Sequence, residues 1–167
     1  MKTIRKYLYH AALNVIAKSC ICPETLRKKL FNYFGHCIKG SIGPSSYIGY
    51  TTDKKLAIGE GSYTNVRCFF DMCDNIDIGS NCCISFNVTF ATGTHQIGTS
   101  FKRGGGGISS PIKVSDGCWI GANVTILPGV TIGKGCIIGA GSVVTKDCEP
   151  NSIYVGAPAK LLRKLET

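Results

Sequence analysis

The sequence predicts an all-β solenoid: a parallel β-helix of hexapeptide repeats, with an N-terminal helical segment and one loop extruded from the coils. Three observations carry this. Between Val114 and Cys148 an aliphatic residue returns every sixth position, at Val114, Ile120, Ile126, Ile132, Ile138 and Val144. A strand alternates every two residues and a helix repeats about every 3.6, so neither alone gives six. A chain that turns a triangular corner every six residues does, with three hexapeptides closing one coil. The fifth residue of each unit is small (Cys118, Val124, Val130, Cys136, Ser142 and Cys148), as the inside corner of a narrow prism requires. Finally, Gly follows the aliphatic position at 121, 133 and 139.

Taken in order, residues 2–18 read as an amphipathic helix with Ile4, Leu8, Ala12 and Val15 along one side. A second helix follows: Pro23 suits its first position, Glu24 its first turn, and Leu26, Leu30 and Phe34 recur before Gly35. These helices either cover the backbone edge of the first coil or, through the basic first helix, touch a membrane. The hydrophobic pattern favours the cap. Ragged first coils follow, with Ile42, Ile48 and Ile58 in the aliphatic slot and Ser46, Thr52 and Ser62 in the small one. Thr64 with Cys68 makes a weaker unit, and Ile78, Ile84 and Phe90 come with Cys82, Val88 and Thr94. Gln96, Lys102 and Ile108 break the pattern, and Gly104 to Gly107 would be entropically costly in a packed coil. Residues 96–111 are therefore the extruded loop. The expected organisation is a helical cap at 1–40, a β-helix of about five turns at 41–157, and a basic tail at 158–167 that leaves the solenoid, as a short helix.

At 167 residues, with 44% apolar and 17% charged, the chain fits one domain and can bury a core. No apolar run approaches the roughly 20 residues of a membrane span. The first twenty residues superficially resemble a signal peptide. However, His10, Asn14 and Lys18 interrupt the apolar stretch and no small-residue cleavage site follows. A lipid-modified Cys20 is the alternative; cytoplasmic location is the expectation. The formal charge of +9 suits a polyanionic small ligand or an anionic membrane face. No aromatic-studded basic module points to nucleic acid. Of the ten cysteines, Cys68, Cys82, Cys118, Cys136 and Cys148 fall in the small slot, where Cys acts as a compact hydrophobe. No pair of CxxC motifs suggests zinc, and the usage fits a reducing compartment.

Only His10, His36 and His95 supply imidazoles. A β-helix carbonic anhydrase needs three around one metal. Only His95 lies on a coil, so no metal is expected. His95 ends the FATGTH unit at the mouth of the loop, where a side chain points outward and a loop builds a pocket. An imidazole with a pKa near 6.5 suits a general base that takes a proton from a hydroxyl.

The stretch PIKVSDGCWIGANVTILPGVTIGKGCIIGAGSVVTKDCEPNSIYVGAPAK, together with SFNVTFATGTH, closely resembles the hexapeptide-repeat acetyltransferases. Within them it is most similar to the galactoside and maltose O-acetyltransferase branch and to capsule and lipopolysaccharide sugar O-acetyltransferases. The resemblance covers residues 42–163. It implies a left-handed β-helix, a homotrimer, active sites between adjacent subunits, and acetyl-CoA lying along the coils. By the same resemblance His95 is the catalytic base. Asn65 contacts the acceptor and helps hold the oxyanion, against the plainer reading of a corner turn. Trp119, Gly121 and Ala122 match the segment beside the pantetheine arm, although Trp119 in its outward slot also suits packing between subunits. Ala140, Thr145 and Lys146 match cofactor contacts further along. Lys160 and Arg163 match basic positions near the nucleotide phosphates, where charged tails are otherwise simply solvated. No loop carboxylate is evident to orient His95; Asp71, Asp74 or a backbone carbonyl are the candidates.

The expected activity is O-acetylation of a carbohydrate or sugar nucleotide, in cell-surface polysaccharide synthesis. The alternatives are N-acetylation of an amino sugar nucleotide, acetylation of an antibiotic, and a non-catalytic trimeric scaffold. An acetyl-cysteine route is disfavoured because five cysteines occupy core slots.

Overall fold

A computed structural model describes residues 2–51 and 53–166; Thr52, expected in a small slot, lies outside the described residues. The chain winds into a three-sided parallel solenoid of five full coils and a partial sixth, a little longer than the five turns expected. Its first face stacks Cys37–Ile38, Leu56–Ile58, Ile76–Ile78, Ile112–Val114 and Thr131–Ile132. The second stacks Ser41–Ile42, Tyr63–Thr64, Cys83–Ile84, Trp119–Ile120, Ile137–Ile138 and Ser152–Val155. The third stacks Tyr47–Ile48, Phe69–Phe70, Thr89–Phe90, Thr125–Ile126 and Val143–Val144. The first strand thus begins at Cys37, inside the stretch expected to be cap.

Each aliphatic residue of the six-fold series from Val114 to Val144 is buried, as are Ile42, Ile48, Ile58, Ile78, Ile84 and Phe90. Phe70 and Phe90 stack at 5.2 Å between successive coils. The small slot has chemistry as well as size. At one corner Ser62 donates to Gly79 O at 2.6 Å, Cys82 to Ser115 O at 3.2 Å, and Cys118 to Gly133 O at 3.1 Å. A short side chain with a single donor there ties each coil to the next. All ten cysteines are free. Burial pushes Cys68 up to about 11 and Cys148 up to about 12, so these thiols stay protonated and unreactive. The corners turn through left-handed residues such as Asn81, Asn87 and Asn123, at φ 57° to 58°. Asparagine adopts that region more readily than most side chains.

The helices close the open end. α1 (Lys2–His10) continues into a π turn, Ala11–Ile16, in which Ala17 N–H reaches back to Ala12 O. α2 spans Glu24–Tyr33, with Pro23 as its N-cap and not its first helical residue. Each face of the first coil has an edge that no neighbouring strand pairs, and a side chain answers it. Asn14 accepts from Ile48 N–H at 2.9 Å and donates to Ile48 O at 2.8 Å. Asn32 does the same for Ile38, at 2.7 and 3.2 Å. Arg27, buried with no carboxylate partner among the described residues, donates to the carbonyls of Ile42, Ala17, Ser19 and Cys22. Beneath them, buried His36 accepts from Leu56 N–H on Nδ1 and donates from Nε2 to Tyr9, which donates on to Gly49 O.

The buried helix faces differ from the sequence reading. Tyr9, Leu13 and Ala17 pack on the coil, while Ile4, Leu8 and Val15 are exposed and Ala12 is half-buried. Within α1 the inward residue is Tyr9 and not Ile4 or Leu8, and past His10 the π turn widens the repeat, so a 3.6-residue count no longer holds there. In α2, Arg27 and Phe31 are buried and Leu26 is exposed.

The extruded segment is a β-hairpin, Gly93–Ile97 against Gly104–Ser109, starting earlier than the 96–111 expected. Thr94 is therefore exposed on the ribbon, and Thr92 fills the buried position. The C-terminal residues Lys160–Lys164 fold back as an antiparallel strand on Ser152–Val155, and do not leave as a helix. This strand covers the second face's far edge.

Candidate active site

The hairpin leaves the prism at the corner between the third and first faces, after Phe90. Two carboxylates from the previous coil hold its feet. Asp71 accepts from Gly93 N–H at 2.7 Å, and Asp74 accepts from Ser109 Oγ at 3.3 Å. Gly93 fits there because a Cβ would lie 2.7 Å from Cys73 Sγ and 3.0 Å from Asp71 Oδ2. His95 stands opposite Gly107 on the ribbon, with Nδ1 3.1 Å from Gly105 O. A carbonyl can only accept, so that contact places the proton of the neutral ring on Nδ1 and leaves the Nε2 lone pair free. Neither Asp71 nor Asp74 bonds to the imidazole, so the orienting group is the backbone carbonyl. Asp71, Cys73, Gly93, Thr94, His95, Gly107, Ile108 and Ser109 surround a cavity of about 460 Å³.

The remaining predicted residues divide between two edges of the prism. Asn65, Gly121, Ala122 and Ala140 line the corner between the second and third faces, with Ser85 in the coil between Asn65 and Gly121. Asn65 N–H bonds to Ile84 O, Ser85 N–H to Ile120 O and Gly121 N–H to Ile138 O, making a continuous column. Asn65 Oδ1 accepts from Val66 N–H at 2.7 Å, which is a corner turn; its NH₂ group makes no hydrogen bond among the described residues. Gly121 has a packing reason of its own, since a Cβ would lie 2.6 Å from Ala140 N in the next coil. Trp119 projects from the second face, 55% exposed. Exposed Lys160 and Arg163 lie on the C-terminal strand at the end of that face. Thr145 and Lys146, also exposed, follow the last strand of the third face and lie on the hairpin's edge.

Within one chain, then, His95, Thr145 and Lys146 lie on one edge, and Asn65, Gly121, Ala122 and Ala140 on another. One six-residue side, at most about 20 Å long, separates the two edges. Sequence reasoning missed Cys73, Gly105 and Ser109. Cys73 could have been found from the stacking of Phe70 on Phe90, which places residues 71–75 directly under the loop mouth. Among the described residues no group of three metal-ligating side chains comes together. No helix there is long and apolar enough to cross a membrane.

The profile described as "Bacterial transferase hexapeptide (six repeats)" matches residues 111–146. The galactoside O-acetyltransferase of Escherichia coli K12 is 34% identical over 142 residues, covering 85% of this chain and 68% of that protein. A Schizosaccharomyces pombe relative is 44% identical over 108 residues, 65% of this chain and 52% of its own length. The chain thus spans between about half and two thirds of these relatives. Among solved structures, a hexapeptide-repeat acetyltransferase of Vibrio cholerae O1 biovar El Tor in complex with acetyl-CoA superimposes with a TM-score of 0.83. It is 26% identical, with 99% of this chain and 89% of that one covered.

Proposed function

The chain belongs to the hexapeptide-repeat acetyltransferases, and on that premise we propose that it moves an acetyl group from acetyl-CoA to a hydroxyl of a carbohydrate acceptor. The observation that carries the reading is His95, oriented through Nδ1 by the Gly105 carbonyl with Nε2 free at the mouth of a cavity. Nε2 takes the proton of the acceptor hydroxyl as its oxygen forms a bond to the thioester carbonyl carbon. The carbon–sulfur bond then breaks, and the imidazolium returns the proton to the departing CoA sulfur.

The column along the second edge suits an extended cosubstrate. Small residues at Gly121, Ala122 and Ala140 leave room for a pantetheine arm, Trp119 flanks it, and Lys160 and Arg163 lie toward the phosphate end. The Asn65 NH₂ group is the candidate oxyanion donor, a role worth roughly 2.7–4 kcal/mol in the transition state.

The two half-sites join when one copy's hairpin edge meets another copy's Asn65 edge, as in a threefold ring. The outward residues support this. The first face carries Asp77, Lys113 and Thr131 outward. The second presents Tyr63 and Trp119 at 47% and 55% exposure, and the third Phe69 at 40% with Tyr47 stacked on it at 5.0 Å. Ten unpaired thiols favour a reducing, cytoplasmic setting.

The test is CoA release from acetyl-CoA across hydroxyl- and amine-bearing sugars, sugar nucleotides and antibiotics, for the wild type and His95→Ala. Turnover on a hydroxyl acceptor that falls at least about a hundredfold in the variant supports the reading. Turnover restricted to amines would replace the acceptor class. Failure to bind CoA at all would leave a non-catalytic trimeric scaffold.

A further inference from the structure

We propose that the capped end of the solenoid docks on an anionic lipid surface through the outward side of the first helix. The helical segment has two sides, and the fold uses one. Tyr9, Leu13 and Ala17 are 1–2% exposed against the first coil. Asn14 pairs with the outer N–H and C=O of Ile48, which point along the solenoid axis, away from the next coil. The helix is thereby held across the end of the prism, with its other side facing outward. On that side Ile4, Tyr7, Leu8, Val15 and Ile16 are 51–72% exposed. The cap needs none of them, and five large apolar side chains on a short helix are more than scattered surface hydrophobes.

Charge selects the occupant. Up to Pro23 the chain has four basic residues and no acid; up to Thr51 it has eight basic residues and one acid. Beside the stripe, Arg5, Lys54 and Lys55 line a recess of about 180 Å³ next to Tyr33, which is 83% exposed. Asp53, the acid in that recess, is engaged by Lys54 at 3.5 Å. A second copy seated on the same side would set Arg5 and Lys55 against the same cations of its mate, with Asp53 already engaged by Lys54. Anionic headgroups answer them, and the acyl boundary below accepts the apolar side chains. The hairpin leaves from the third coil, two strand steps or about 10 Å of axial rise beyond the first. An acceptor carried on a lipid anchor would then lie within reach of His95. That consequence, unlike the docking itself, rests on the proposed activity.

The test is sedimentation of the full chain with vesicles of phosphatidylcholine, alone or with about 30% phosphatidylglycerol. At least about tenfold stronger partitioning onto the anionic vesicles is expected, falling as salt is raised to about 0.5 M. Ile4→Ser, Leu8→Ser and Val15→Ser combined should abolish it while the thermal transition stays nearly in place, because those side chains are 59–67% exposed and lie outside the packed core. Arg5→Gln with Lys18→Gln should lower the preference for anionic lipid and keep the fold. Three results would overturn the proposal. One is no binding to anionic vesicles, and another is binding that survives the triple substitution. The third is a larger assembly in light scattering that the triple substitution dissolves without any vesicle binding, which would assign the stripe to a second copy.

Discussion

The capped end and the hairpin each hold a histidine, and the two are set up for opposite work. His36 is buried. Its Nδ1 accepts from Leu56 N–H, its Nε2–H is committed to Tyr9, and burial lowers its pKa to about 4. His95 is exposed on a ribbon, its Nδ1–H is tied to Gly105 O, and its Nε2 is left free. The imidazole is the same; what differs is which nitrogen the fold consumes. A histidine with both nitrogens bonded inside protein holds structure together. One with a single nitrogen bonded is oriented and still has a lone pair to offer.

The sharpest way to break this comparison is to remove each ring's region in turn. His95→Ala should lower turnover by about 10²–10⁴ and leave the unfolding transition unmoved, measured by steady-state kinetics beside urea denaturation. Arg27→Ala should do the converse. It removes the donor shared by four backbone carbonyls and should destabilise by about 3 kcal/mol or more. Turnover per folded molecule should hold.

Acid sharpens the comparison further. The unfolded chain's His36 titrates near 6.5 and the folded one near 4. Between those values the unfolded state binds more protons, so stability falls as pH falls through the window, by up to about 3 kcal/mol. Denaturation midpoints at a series of pH values should show this loss, and His36→Gln should flatten it. The smallest effect belongs to the hairpin's foot. Asp71→Ala removes a charged acceptor for Gly93 N–H and should cost about tenfold in kcat, the value of one such bond. Stability should change far less than in Arg27→Ala.

How much was legible in the sequence follows the same geography. From Val114 to Val144 successive coils are eighteen residues apart, as Val114 beside Ile132 shows, so a strict six-residue count places those core residues. The last coil is two residues shorter: Cys148, read as a small-slot residue, stacks on Ile132, and Tyr154 on Ile138. Upstream, Ile58 stacks on Ile78 and Phe70 on Phe90, twenty residues apart. The extra two residues sit at the corner that later releases the hairpin, which is why Thr94 reads as a slot residue and Thr92 is one. The glycine run at 104–107 reads as a loop because glycine weakens an isolated strand. Paired against residues 93–97, it makes a ribbon. The first helix read backwards because its inward residue is the amphipathic Tyr9, and because the π turn after His10 leaves no mark in composition, only in the Ala17-to-Ala12 bond. His95 was legible from its unit. The carbonyl that orients it was not, since backbone partners come from pairing register and carry no side-chain signature.

The central claim is that His95 of one copy works with Asn65 of another, because one chain puts them on different edges. The direct measurement is to co-refold His95→Ala with Asn65→Ala, each nearly inactive alone, and assay the mixture. In a ring whose sites each draw one residue from either neighbour, random mixing should restore about a quarter of wild-type turnover. A mixture as inactive as its parents would contradict the account and place both residues in one chain's site.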